Sequence, residues 1–137
     1  MKLKVLIVDD SKVAVKVIHE ALNGEIYEKR TAVNGEEALE SYRNWKPDII
    51  FLDIMMPIVS GFAVLKEIRD TEKNDLNAKK TAVVMITALA DKASITDCLK
   101  LGIQGYLVKP FPPEEVATRA EEAFRKISGS PVAKVPN

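Results

Sequence analysis

The chain has one cysteine, Cys98, in 137 residues, so no disulfide can form within it, and a reducing cytosol fits. It has no surplus of charge: Lys+Arg and Asp+Glu both number 20. Nothing therefore draws it in bulk to nucleic acid or to an anionic membrane. Long apolar runs are missing too. The N-terminal run in MKLKVLIVDDS stops at Val8, too short for a signal-peptide core and far too short to cross a bilayer. A cytoplasmic protein is expected. There is no internal repeat or low-complexity tract, and no helix-turn-helix segment follows residue 127, so direct binding to DNA is not expected. The remaining composition is ordinary, with 47% hydrophobic and 29% charged residues. A chain of this length can bury a real core as one domain without disulfide or structural metal.

What the sequence does have is alternation. Short runs expected as strands, apolar over residues 3–8, 49–52, 82–86 and 105–108 and more polar over 27–33, alternate with helical patterns. In the first helix, over 11–22, Val13, Val17 and Ala21 form one i, i+4 row and Ala14, Ile18 and Leu22 the next; Asn23-Gly24 closes it. Asn34 with Glu37 resembles a capping box, opening a helix through about residue 42. Ser60-Gly61 starts a third helix with Val64, Leu65 and Ile68 on its apolar side, and residues 71–80 read as a polar loop. Asp91 is a candidate cap for a fourth helix that Gly102 ends. Pro112-Pro113-Glu114-Glu115 is a strong helix start, and Val116, Ala120, Phe124 and Ile127 form the buried stripe behind it. The closing SGSPVAKVPN reads as a disordered tail or linker stub over 128–137, leaving 1–127 as the domain. Nearly continuous apolar strands alternating with helices imply a mostly parallel sheet covered on both faces. The second strand alone is polar, so it belongs at an edge.

Four of the five strands end in a chemically specific residue. The first ends in Asp9-Asp10, the third in Asp53, the fourth in Thr87, and the fifth in Lys109 before Pro110. Open parallel sheets bind ligands outside the carboxyl ends of their strands, so these residues should converge. Alone, each has a bland reading: Asp9-Asp10 as a turn or cap, Thr87 as a strand threonine, Tyr106 as a core-edge aromatic. Three converging carboxylates, however, repel one another unless a cation compensates. Mg²⁺ prefers oxygen ligands and leaves positions for water and phosphate oxygens. A carboxylate can also be a nucleophile that forms an aspartyl-phosphate. Phosphoryl transfer then needs positioning and charge compensation, which Lys109, as a compact mobile charge, and the Thr87 hydroxyl could supply. Elsewhere, His19 reads as a surface or partner-facing residue, Cys98 as core, and Trp45 as packing beside the second helix.

Four stretches carry a resemblance: VLIVDDS at 5–11, PDIIFLDIMMP at 47–57, MITALAD at 85–91 and GYLVKPF at 105–111. Together they resemble the receiver domains of two-component response regulators, over about residues 3 to 127. The resemblance implies an α/β fold, a three-layer flavodoxin-like (βα)5 sandwich with a five-stranded parallel sheet in order 2-1-3-4-5. It implies Asp53 as phosphoacceptor, Asp10 as direct Mg²⁺ ligand, Asp9 as a second acid acting mainly through water, and the Met55 backbone carbonyl as a further metal ligand. Lys109 would contact the phosphoryl group, Lys109-Pro110 would be a cis peptide, and Thr87 with Tyr106 would form the switch pair. Implied partners are a sensor histidine kinase or phosphotransfer protein and a downstream protein effector met by the fourth helix, fifth strand and fifth helix. The chain would be a signalling phosphoacceptor rather than an enzyme, a monomer or a weak phosphorylation-dependent dimer. Ile103-Gln104-Gly105 lacks the acidic residues that many relatives carry before the switch aromatic, which argues against the dimer those residues serve. Met55 and Leu89 flank the water route in such domains. Both are apolar here, which implies slow self-dephosphorylation. The alternative is an aspartyl-phosphate-forming hydrolase or phosphotransferase, which would need a carboxylate where Met55 stands. A flavodoxin-like cofactor binder would need a phosphate-cradling loop where Asp9-Asp10 stand.

Overall fold

The computed structural model describes residues 2–88 and 91–129. Five strands and five helices alternate: β1 (Leu3–Val8), α1 (Lys12–Ala21), β2 (Tyr27–Ala32), α2 (Gly35–Trp45), β3 (Ile49–Asp53), α3 (Gly61–Asn74), β4 (Ala82–Ala88), α4 (Lys92–Leu101), β5 (Gly105–Lys109) and α5 (Pro113–Ser128). All pairings are parallel, in the order β2-β1-β3-β4-β5. The polar strand β2 is at an edge, as its composition demands.

The period-2 alternation of strand side chains divides the interior into two cores. Leu6, Val8, Ile50, Leu52, Val83 and Met85 face α2, α3 and α4. Val5, Ile7, Ile49, Phe51, Val84 and Ile86 face α1 and α5. Helices therefore cover both faces of the sheet, and the result is a flavodoxin-like three-layer sandwich. Since every crossover returns a strand in the same direction, all five carboxyl ends lie on one rim.

The structure extends or corrects several sequence expectations. The inward side of α1 lies toward its end: Ile18 and Leu22 are buried and Ala21 packs partly against the same core, whereas Val13 is 75% exposed. Helix α2 runs on to Trp45, whose buried ring lies under the Arg30 guanidinium at 4.6 Å. Helix α3 continues through the stretch expected as loop, to Asn74. Its polar end holds because Thr71 Oγ1 donates to Glu67 O at 2.9 Å, Lys66 pairs with Asp70 at 2.9 Å, and the buried Arg69 is tied down on several sides. The Arg69 guanidinium donates to Gly102 O, Thr81 O and Gln104 Oε1 at 2.8–2.9 Å and pairs with Glu72 at 2.8 Å. Asn34 Oδ1 accepts from Glu37 N at 2.9 Å, and the Glu37 carboxylate accepts in turn from the Asn34 side-chain amide at 3.3 Å, where a capping box would use the Asn34 backbone N–H. Asp91 precedes α4 without a side-chain capping bond. Ser128 closes α5, with Gly129 left-handed at φ 72 behind it; the tail expected beyond lies, from residue 130, outside the described residues.

One buried group is badly placed. The Tyr27 hydroxyl has no hydrogen-bond partner among the described residues, and burial together with the Glu121 charge pushes its pKa up to about 12. An unmade bond on a buried donor costs about 1–3 kcal/mol. Tyr27→Phe is therefore expected to raise stability by about 1 kcal/mol, read as a higher urea midpoint at unchanged slope. A lower midpoint would mean that the hydroxyl has a partner after all.

Candidate functional site

The strand-end residues converge on one rim. Carboxylate oxygens of Asp9, Asp10 and Asp53 all lie within 4.8 Å of one another. Asp9 and Asp53 are buried, at 0% and 5% exposure, and Asp10 is open to solvent. The sheet sets this arrangement: β1 and β3 are neighbours, so the residues following Val8 and Leu52 emerge side by side.

Lys109 comes in from β5, two strands away from β3. Its Nζ is 2.9 Å from Asp9 Oδ2 and 3.5 Å from Asp53 Oδ2, so one cation bridges two buried carboxylates. Burial works against the Lys109 ammonium, but Asp9 and Asp53 outweigh it and hold its pKa above the ordinary lysine value. For Asp53 the balance runs the other way. Burial first, and then repulsion from Asp9, push its carboxyl from 3.8 up to about 6, against the pull of Lys109 and of the Met55 N–H. That N–H donates to Asp53 Oδ1 at 3.1 Å, a role for Met55 in addition to the one its carbonyl was expected to have.

Thr87 is buried near the end of β4, opposite Val108, and its hydroxyl donates to Ala88 O at 3.3 Å. Tyr106 is opposite Met85 and 45% exposed. The Lys109-Pro110 peptide is cis. The Met55 side chain is 68% exposed, and Leu89 lies outside the described residues.

The donor set fits a hard divalent cation. All three side chains offer carboxylate oxygen, the preference of Mg²⁺. Asp9 uses Oδ1 to accept from Ser11 N at 2.9 Å. Its buried Oδ2 meets the Lys109 ammonium at 2.9 Å, the same cation that Asp53 shares at 3.5 Å. Three carboxylates gathered around one ammonium still repel one another, as the raised Asp53 pKa shows, and a divalent cation would relieve that cost.

The sequence profile of the response regulator receiver domain matches residues 5–121. The chain belongs to the response regulator receiver family. It is 36% identical to the chemotaxis protein CheY of Thermotoga maritima, over 91% of this chain and 97% of that protein. It is also 40% identical to the Guillardia theta protein named Probable transcriptional regulator ycf27, over 91% of this chain but 46% of that protein. The receiver domain thus spans about half the length of the ycf27 relatives. Among solved structures, the chemotaxis response regulator CheY4 of Vibrio cholerae superposes with a TM-score of 0.78 at 31% identity, over 90% of this chain and 99% of that one. Among the described residues of this receiver domain, no helix is long and apolar enough to cross a membrane.

Sequence reasoning missed one residue that shapes the site. Gly61, the first residue of α3, lies against the backbone of Asp53: a Cβ there would overlap the Asp53 carbonyl oxygen and sit 2.8 Å from Ile54 Cα. The available signal was a glycine opening a helix, a position with no propensity advantage for it.

Proposed function

We propose that this receiver domain accepts a phosphoryl group on Asp53 from the phosphohistidine of a sensor histidine kinase or phosphotransfer protein, in a Mg²⁺-dependent reaction. The observation that carries this reading is the Lys109 ammonium held between the buried carboxylates of Asp9 and Asp53. A buried acid at a strand end, fixed by its neighbour's N–H on one oxygen, presents the other as nucleophile. As the Asp53 O–P bond forms, the donor's N–P bond breaks and the imidazole leaves with the electron pair. Lys109 meets the charge that builds on the phosphoryl oxygens. Asp9, Asp10, Asp53 and the Met55 carbonyl would hold Mg²⁺, which when bound supplies further charge compensation to those oxygens.

The readout follows from local charge. Thr87 spends its hydroxyl on a long bond to Ala88 O, and a phosphoryl oxygen is a stronger acceptor. Drawing Thr87 toward it opens room beside β5 for the half-exposed Tyr106 ring to turn inward, altering the surface of α4, β5 and α5 that a downstream protein reads. The chain works in the cytoplasm, as a monomer or a weak phosphorylation-dependent dimer, and contacts no DNA itself.

Intact mass after incubation with acetyl phosphate tests the reading. One added phosphoryl group is expected with Mg²⁺, none without it, and none on Asp53→Asn. The adduct should decay over minutes or longer, given the apolar Met55 side chain. A folded wild-type chain that stays unmodified in Mg²⁺ would sink the proposal.

A further inference from the structure

The loop from Asp53 to Gly61 is tied at both ends. Ile54 N donates to Ile86 O at 3.0 Å, and Gly61 N donates back to Ile54 O at 2.9 Å. Ile54 and Met56 are buried, and Val59 presses on Gly35 so closely that a Cβ there would lie 2.6 Å from Val59 Cβ. Between these anchors stands Ile58, 96% exposed and left-handed at φ 67. Val59 N donates to Pro57 O at 2.8 Å, which closes a γ-turn of the rarer, strained hand.

An exposed isoleucine alone needs no explanation. A β-branched residue in the left-handed region does, because its Cβ meets the backbone there and glycine or asparagine would take the same turn at far lower cost. Ile58 therefore gives up stability and buries nothing in return. Such outliers persist where function holds them.

We infer that Ile58 is a specificity residue that docks the phosphohistidine-bearing protein. This rests on the phosphoacceptor reading of Asp53. The side chain of Asp53 is 7% exposed, and the Met55 N–H that fixes it belongs to the same loop. A protein that brings an imidazole to Asp53 must cover that loop, and the strained turn presents it with an apolar side chain on a rigid base. A small phosphodonor such as acetyl phosphate brings no protein surface to rest on Ile58.

Two variants separate docking from chemistry. Ile58→Asn suits the left-handed turn and removes the apolar contact. Ile58→Met removes β-branching and keeps the contact. The probe is chosen by mixing wild type with each autophosphorylated kinase core of the source organism and taking the one that transfers fastest. Labelling by acetyl phosphate should stay within about twofold of wild type in both variants, and urea midpoints should be no lower. Transfer from the kinase core should fall about tenfold in kcat/KM for Ile58→Asn, through KM, and be largely kept in Ile58→Met. Transfer to Ile58→Asn within about twofold of wild type would overturn the inference. So would a wild-type chain that acetyl phosphate labels but no kinase core does. Failure of acetyl phosphate itself on folded wild type would instead bring down the phosphoacceptor reading, and this inference with it.

Discussion

Gly61→Ala is expected to lose about 3 kcal/mol of stability and to slow phosphorylation of Asp53 by about a hundredfold. The new Cβ would overlap the Asp53 carbonyl oxygen and lie 2.8 Å from both the Asp53 carbonyl carbon and Ile54 Cα. These are backbone atoms, so no rotamer change relieves the contact. They cannot retreat easily either, since Asp53 pairs with Ile86 in the sheet and Ile54 N is bonded to Ile86 O. The first turn of α3 must move instead, breaking the Gly61 N to Ile54 O bond and the Ser60 cap that accepts from Ala63 N. Whatever strain α3 does not absorb falls on Asp53 itself, and displacement of about an ångström at the proposed acceptor is enough to spoil a nucleophile's approach. Gly24→Ala is the control: nothing lies within 4 Å of its Cβ position, and it should leave both quantities unchanged. Urea unfolding and the rate of acetyl phosphate labelling measure the two effects. A Gly61→Ala protein within about 0.5 kcal/mol of wild type would show that the α3 start yields more readily than this geometry allows.

The residues that converge were legible because parallel α/β topology is itself legible. Four apolar runs and one polar edge run, separated by helical patterns, are enough to put Asp9, Asp10, Asp53 and Lys109 on one rim. Charge was less readable than hydrophobicity. Arg69, Glu72 and Gln104 look like surface residues in sequence, yet Arg69 is 8% exposed and the Gln104 amide oxygen accepts both from it and from Val83 N at 2.8 Å. That network explains why α3 outlasts its apolar pattern. A polar stretch ends a helix only when water is the sole partner for its side chains, and here Thr81, just before β4, and the turn after α4 supply partners. Backbone outliers were invisible for a different reason. The left-handed turn at Ile58 contradicts its residue type, so no propensity could have announced it. Likewise Val13 sits in a row with the right helical spacing, yet it is exposed while Ala21 of the same row packs on the core; periodicity cannot say where along a row the contact begins.

The carboxylate cluster that would hold the metal should make the metal-free protein less stable as pH rises. Burial and Asp9 push the folded Asp53 carboxyl up to about 6 from its ordinary 3.8, so between those two pH values the folded chain holds a proton that the unfolded chain has released. Stability then falls as pH climbs through that window and levels off above it. Two pH units correspond to about 3 kcal/mol, set mainly by burial and by Asp9. Lys109, held above its ordinary value by the same carboxylates, stays charged throughout. Asp53→Asn removes the ionisation and leaves Lys109 its shorter contact to Asp9 at 2.9 Å. The variant should therefore be more stable than wild type by about 2–3 kcal/mol near neutral pH, and the gain should shrink toward zero by about pH 4. Mg²⁺ should close the gap from the other side. Its binding stabilises the folded wild type in proportion to occupancy, more strongly above the Asp53 pKa than below it, and Asp53→Asn should respond far less. Urea midpoints of both proteins across pH, with and without Mg²⁺, test all of this at once. A metal-free Asp53→Asn protein no more stable than wild type near neutral pH would mean that Lys109 already neutralises the cluster, and that relief of carboxylate repulsion contributes little to metal binding.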